Sequence, residues 1–126
     1  MAGWLERCNK YPTIMFSEAL RKAKSRSEKR QVQFNIDKEY LINLFEDQNG
    51  KCYYSGIQLN IVKNKTGVIN DPMKMTLDCI DPDSGYVKGN VVWCAYCVNV
   101  FKQKMSVDEM VQICSGIIKT SSESSI

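Results

Sequence analysis

Two short β-type runs, "MTLDCI" from Met75 and "NVVW" from Asn90, flank the turn-rich "DPDSGYVKG" and lead directly into "CAYCVNVFKQK". Pro82 and Gly85 sit where a chain reversal needs them, so the two runs are expected to pair as a β hairpin. The segment after Trp93 is expected to turn into a helix, with Tyr96, Val100 and Phe101 packing on the sheet. A strand, turn, strand and helix in one short segment constrain the fold more than any other feature of the chain.

The flanking segments read as helices. "TIMFSEALRKAKSRSEKR" carries Met15, Leu20 and Ala23 on a short apolar side and predicts a helix over roughly 14 to 29. Asp37 precedes "KEYLINLFEDQ", where Tyr40, Leu41, Leu44 and Phe45 follow the spacing of an amphipathic helix that Gly50 ends. "KCYYSGIQLNIV" suggests a short hairpin or irregular strand pair around Ser55 and Gly56, and 63 to 74 read as an exposed loop. Ser106 and Glu109 have the spacing of a capping box, placing a last helix over about 107 to 118. The tail 119–126, "KTSSESSI", has no periodic apolar face and is expected to be disordered.

A chain of 126 residues, 44% hydrophobic and 25% charged, suits one small globular domain and excludes collagen-like or globally disordered classes. No apolar run approaches the ~18 residues of a membrane span. Glu6 and Arg7 interrupt the stretch where a signal peptide would be apolar, so an intracellular, cytoplasmic location is expected. Six cysteines in that setting read as thiols or metal ligands rather than disulfides. The chain carries a net +3, but "RKAKSRSEKR" alone holds six basic residues against one glutamate. That local +5 leaves −2 for the rest and concentrates any attraction for a polyanion on Arg21, Lys22, Lys24, Arg26, Lys29 and Arg30. A solvated helix face is the other reading of the same run.

Residues 75 to 104 resemble the ββα-metal finger of HNH endonucleases, in particular a phage and mobile-element branch with hairpins of the form L-D-x-I-D, G-Y, N-V-x-W, N-x-x-K. The matching residues are Leu77, Asp78, Ile80 and Asp81, then Gly85 and Tyr86, then Asn90, Val91 and Trp93, then Asn99 and Lys102. Upstream, "GKCYYSGIQL" is similar to the segment that precedes the finger in that branch. The resemblance implies an α+β fold, a β hairpin plus helix flanked by N-terminal and C-terminal helices. It divides the domain, 1–120, into a helical N-terminal segment over 1–49, a finger core over 50–104 and a C-terminal helix over 105–118.

By the same resemblance, Asp78 and Asn99 would hold one divalent cation. A carboxylate and an amide oxygen suit Mg²⁺ or Mn²⁺. Asn90 would tie the loop together, and Lys102 and Lys104 would contact phosphate or form a solvated face. The family places a histidine after the metal-binding Asp, whereas this chain has Cys79 there and no histidine at all. A buried thiol is a poor base. Strand alternation puts Asp81 on the same side as Cys79, which makes it the nearest carboxylate able to accept a proton, with a metal-bound hydroxide as the other active option. Cys52, Cys94 and Cys97 are the one set that could hold structural zinc, but Cys97 is a residue out of register and zinc is not expected.

Three functions follow as expectations: a metal-dependent DNA endonuclease, a nucleic-acid-binding module that has lost catalysis, or an accessory protein. DNA, possibly RNA, is the expected partner, with no membrane, and the protein acts as a monomer or homodimer.

Overall fold

The structure, a computed structural model, describes residues 13–61 and 71–124. These form an α+β fold in the order α1 (Thr13–Arg30), α2 (Lys38–Asp47), β1 (Met75–Cys79), β2 (Val91–Ala95), α3 (Tyr96–Lys102) and α4 (Val107–Ser124), with a short 3₁₀ turn at Pro82–Ser84. Most of the loop expected over 63 to 74 lies outside the described residues. No helix among them is long and apolar enough to cross a membrane.

The hairpin is antiparallel, with Leu77 opposite Trp93 and Cys79 opposite Val91. Along β1 the side chains alternate: Met75, Leu77 and Cys79 are buried, while Thr76 and Asp78 keep partial exposure on the opposite face. Every residue of β2 is buried, because α2 packs on it and α3 packs on both strands. An isolated two-stranded hairpin is marginal in water, so these helices supply the stability that the hairpin lacks.

Trp93 centres the core. Its ring lies fully buried in edge-to-face contact with Phe16 of α1 and Phe45 of α2, at centroid separations of 5.6 and 6.2 Å. Its indole N–H donates to the Leu41 carbonyl at 2.9 Å, so burial leaves no polar atom of the ring unpaired. Gln48 bonds both the N–H and the carbonyl of Trp93, locking the end of α2 to β2. Full burial of a large aromatic side chain contributes roughly 1.5–3 kcal/mol.

The helices begin where short-range chemistry directs. Asp37 caps α2 by accepting from the Tyr40 N–H at 2.8 Å. Ser106 and Glu109 cap α4 reciprocally, each side chain accepting from the other's backbone N–H at 3.1 Å. Helix α4 then runs beyond 118 through Ser124, which corrects the disordered tail expected from Lys119 onward. No helix breaker intervenes there, and the Ser121 and Ser122 hydroxyls donate back to the carbonyls of Ile117 and Ile118 within the helix.

Helix α3 departs from expectation in its phase. Tyr96 and Val100 point outward, and the side turned to the sheet carries Cys97, Val98, Asn99 and Lys102. On that side, packing of Cys97 and Val98 against the core is joined by the polar contacts of Asn99 and Lys102 with β1.

Candidate functional site on the hairpin and its helix

Asp78 and Thr76 lie on the face of β1 that α3 covers. Asn99 and Lys102, one helical turn apart, reach down to that face. The Asn99 amide N–H₂ donates to Thr76 Oγ1 at 3.1 Å and leans on the Leu77 carbonyl at 3.5 Å. The Lys102 ammonium lies 3.2 Å from Asp78 Oδ2, donates to the Cys79 carbonyl at 3.3 Å and sits 5.9 Å from the centre of the Tyr54 ring. Tyr54, from the segment between α2 and β1, donates its hydroxyl to the same Asp78 Oδ2 at 2.7 Å.

The result is a half-enclosed carboxylate with two fixed donors on one oxygen. Lys102 is 1% exposed and Asp78 11%. Burial, reinforced by the hydrogen bond to Asp78, pushes the Tyr54 phenol well above its ordinary range, so it stays a donor at any physiological pH. Among the described residues, Asp78 Oδ1 and Asn99 Oδ1 receive no protein hydrogen bond. These two hard oxygen donors fit Mg²⁺ or Mn²⁺, with water and phosphate oxygens needed to complete the coordination. The Lys102 charge already neutralises the one carboxylate, which weakens its attraction for a cation.

Lys102 therefore corrects an expectation: it is no surface contact for phosphate but the internal partner of Asp78, with its stem out of water. Lys104, two residues on, is exposed.

Neither residue considered as proton acceptor is placed for that role. Cys79 is buried, and burial with the neighbouring Asp78 charge pushes its thiol up to about 11 despite Arg30, Tyr86 and Lys102 nearby. At neutral pH it is a thiol, not a thiolate. Asp81 lies past the end of β1, so strand alternation no longer governs it. Its carboxylate caps the 3₁₀ turn, accepting from the Ser84 hydroxyl at 2.8 Å and the Asp83 N–H at 3.0 Å. Those two bonds lower its pKa and make it a weaker base than an ordinary aspartate.

Asn90 spans the connecting loop. Its amide donates to the carbonyls of Asp81 (2.8 Å) and Gly85 (2.7 Å), and its oxygen accepts from the Asp81 N–H (3.0 Å). At Gly85, φ is +80° and an added Cβ would fall 2.5 Å from the Gln33 carbonyl oxygen, so the loop packs directly on the α1–α2 connection. The Arg30 guanidinium closes this junction by donating to the Pro82 carbonyl at 2.8 Å.

That bond also brings the cationic end of α1 against the hairpin loop. Arg21, Lys22, Lys24, Arg26, Lys29 and Arg30 are all exposed, with Arg21 3.6 Å from Glu18. The buried residues of α1, Phe16, Ala23 and Ser27, occupy the other side. A basic surface thus runs up to the loop that follows Asp78.

The cysteines considered for zinc do not assemble: among the described residues no three His, Cys, Asp or Glu side chains are placed to hold a metal ion. Cys52 faces instead a set of donors. Burial would raise its thiol, but the Ser55 hydroxyl and the N–H groups of Ala95, Ser55 and Tyr54 outweigh burial and lower it.

Tyr54 and Thr76 are site residues that sequence reasoning passes over. The i, i+3 spacing of Asn99 and Lys102 is a usable signal that both share one helix face. Nothing local to "KCYYSG" marks which tyrosine reaches Asp78. No family model matches the chain, and no curated protein or solved structure matches it significantly.

Proposed function

We propose that the chain is a metal-dependent endonuclease of the HNH type, its hairpin and α3 forming a ββα finger that engages one phosphodiester of DNA. What supports this reading is that Asn99 of α3 bonds Thr76 and Leu77, the two residues of β1 that precede Asp78, while the cationic end of α1 adjoins the hairpin loop. A bound Mg²⁺ or Mn²⁺ would supply Lewis acidity at the phosphate and a water of lowered pKa. Tyr54 and Lys102 hold the Asp78 carboxylate in one orientation, and Asn90 keeps the adjoining loop rigid. The α1 cations bind flanking phosphates and set position on the nucleic acid without reading its sequence.

A second reading is favoured by the state of Cys79 and Asp81. With a protonated thiol at Cys79 and the Asp81 carboxylate committed to its own turn, neither of the two candidates is a ready base, which suits a module that binds nucleic acid without cutting it.

Supercoiled plasmid incubated with the protein and Mg²⁺ or Mn²⁺ separates the two. Nicking by wild type that is lost in Asn99→Ala and Asp78→Asn, both checked for folding by circular dichroism, supports the endonuclease. Metal-independent duplex binding in fluorescence anisotropy, with no nicking under either cation, replaces it with the binding module.

A further inference from the structure

The six cations of α1 are not spread evenly around the helix. At about 100° per residue, Lys22, Arg26 and Lys29 fall within an arc of roughly 60°, each about one turn from the next, and Arg30 stands beside them toward the core. All four are exposed, and among the described residues none of the four pairs with a carboxylate. Arg21 and Lys24 point to the other flank. There Glu28 follows Lys24 at the i, i+4 spacing, and Glu18 turns its carboxylate to Arg21 at 3.6 Å. Arg21 and Lys24 are thus offset by Glu18 and Glu28, while the four remaining cations leave their flank at +4.

An unpaired cationic stripe works against the helix that carries it, because Lys22 repels Arg26 and Arg26 repels Lys29 at neighbouring positions. The negative end of the helix dipole favours Lys29 and Arg30 in the last turn, but its field has fallen off by Lys22 and Arg26. A bound polyanion removes that repulsion. From Lys22 to Lys29 the helix advances roughly 10 Å at about 1.5 Å per residue. Over that length one strand of a duplex presents about three phosphates, at about 3.4 Å each. Three cations on one line therefore match consecutive phosphates of one strand laid along α1. The end of the stripe fixes where that strand leads, since Arg30 donates to the Pro82 carbonyl at 2.8 Å, in the loop that follows Asp78.

We propose that one flank of α1, formed by Lys22, Arg26, Lys29 and Arg30, is a track for the phosphate backbone of one strand of duplex DNA leading to the hairpin loop, with Arg21 and Lys24 off the track. This rests on the reading of α1 as a phosphate-binding helix and narrows it to one flank. It holds whether or not the finger hydrolyses the strand.

Fluorescence anisotropy with a labelled DNA duplex in EDTA, over a series of salt concentrations, tests the track apart from cleavage. Two double variants remove the same charge: Lys22→Gln with Arg26→Gln on the track, and Arg21→Gln with Lys24→Gln off it. The track pair should weaken binding at least about tenfold at about 0.1 M salt and flatten the slope of log affinity against log salt by about 1.8. The other pair should change that slope by less than half as much. Lys22→Arg with Arg26→Lys should keep the wild-type slope. Equal effects of the two charge-removing pairs would mean attraction to the total charge of the helix and would overturn the track. So would a wild type that does not bind the duplex, including one that binds only phosphatidylserine vesicles. A difference between the pairs in a protein that does not nick plasmid supports the track and removes the endonuclease alone.

Discussion

Lys102 reaches Asp78 from the last turn of α3 with its ammonium shared between the carboxylate and the Cys79 carbonyl. Removing one member of such a pair leaves a charge with no partner in a poorly hydrated place. Lys102→Met should therefore cost about 3–5 kcal/mol, read as a lower urea midpoint, and Asp78→Leu added to it should recover much of the loss. Additive losses in the double variant would contradict the coupling. Cys79 makes the second residue-scale prediction. Its thiol rises from an ordinary 9.0 to about 11 in the fold, so the folded state keeps a proton that the unfolded chain releases. The resulting stability is complete below pH 9 and is lost as pH rises toward about 11. Urea midpoints should fall across that window, and Cys79→Ala should flatten the fall. An unchanged slope in Cys79→Ala would show the thiol ionising freely in the folded protein.

At the scale of elements, the connection between β1 and β2 is as constrained as the strands. Asn90 makes three hydrogen bonds within it, so Asn90→Ala should destabilise by about 2–3 kcal/mol at roughly 1 kcal/mol for each bond. Gly85→Ala meets both a positive φ and the Gln33 backbone, and its thermal midpoint should drop at least as far. Much of this level is legible in the amino-acid order, because turn residues, the Asp37 cap and the Ser106–Glu109 box act over three or four positions. The phase of α3 is not. Tyr96 and Val100 look like core residues by composition, yet the helix turns Cys97 and Val98 to the core and Asn99 and Lys102 to Thr76 and Asp78, whose positions depend on the hairpin's own pairing. The end of α4 also escapes a reading by composition, since a serine-rich stretch signals disorder only when the hydroxyls do not fold back onto the helix.

Over the whole molecule, charge is segregated: α1 is cationic and adjoins the hairpin loop, while α4 is acidic along its polar side. Replacing Lys22, Lys24 and Arg26 with Glu should weaken duplex binding at every sequence tested. It should also reduce the slope of log affinity against log salt by roughly 0.9 for each phosphate that the variant no longer neutralises. Equal affinity and slope in the variant would assign the basic run to a plain solvated face. The hairpin, the capped helices and the basic segment can all be read from the amino-acid order, because each is set by patterns a few residues long. That Trp93 joins α1, α2 and β2, that Tyr54 and Lys102 converge on Asp78, and that Cys79 is enclosed while Asp81 turns to its own loop emerge only in three dimensions. The hydrogen bonds behind these arrangements join residues 52, 24 and 23 positions apart, and such distant pairing depends on how the faces of separate elements pack rather than on any local pattern.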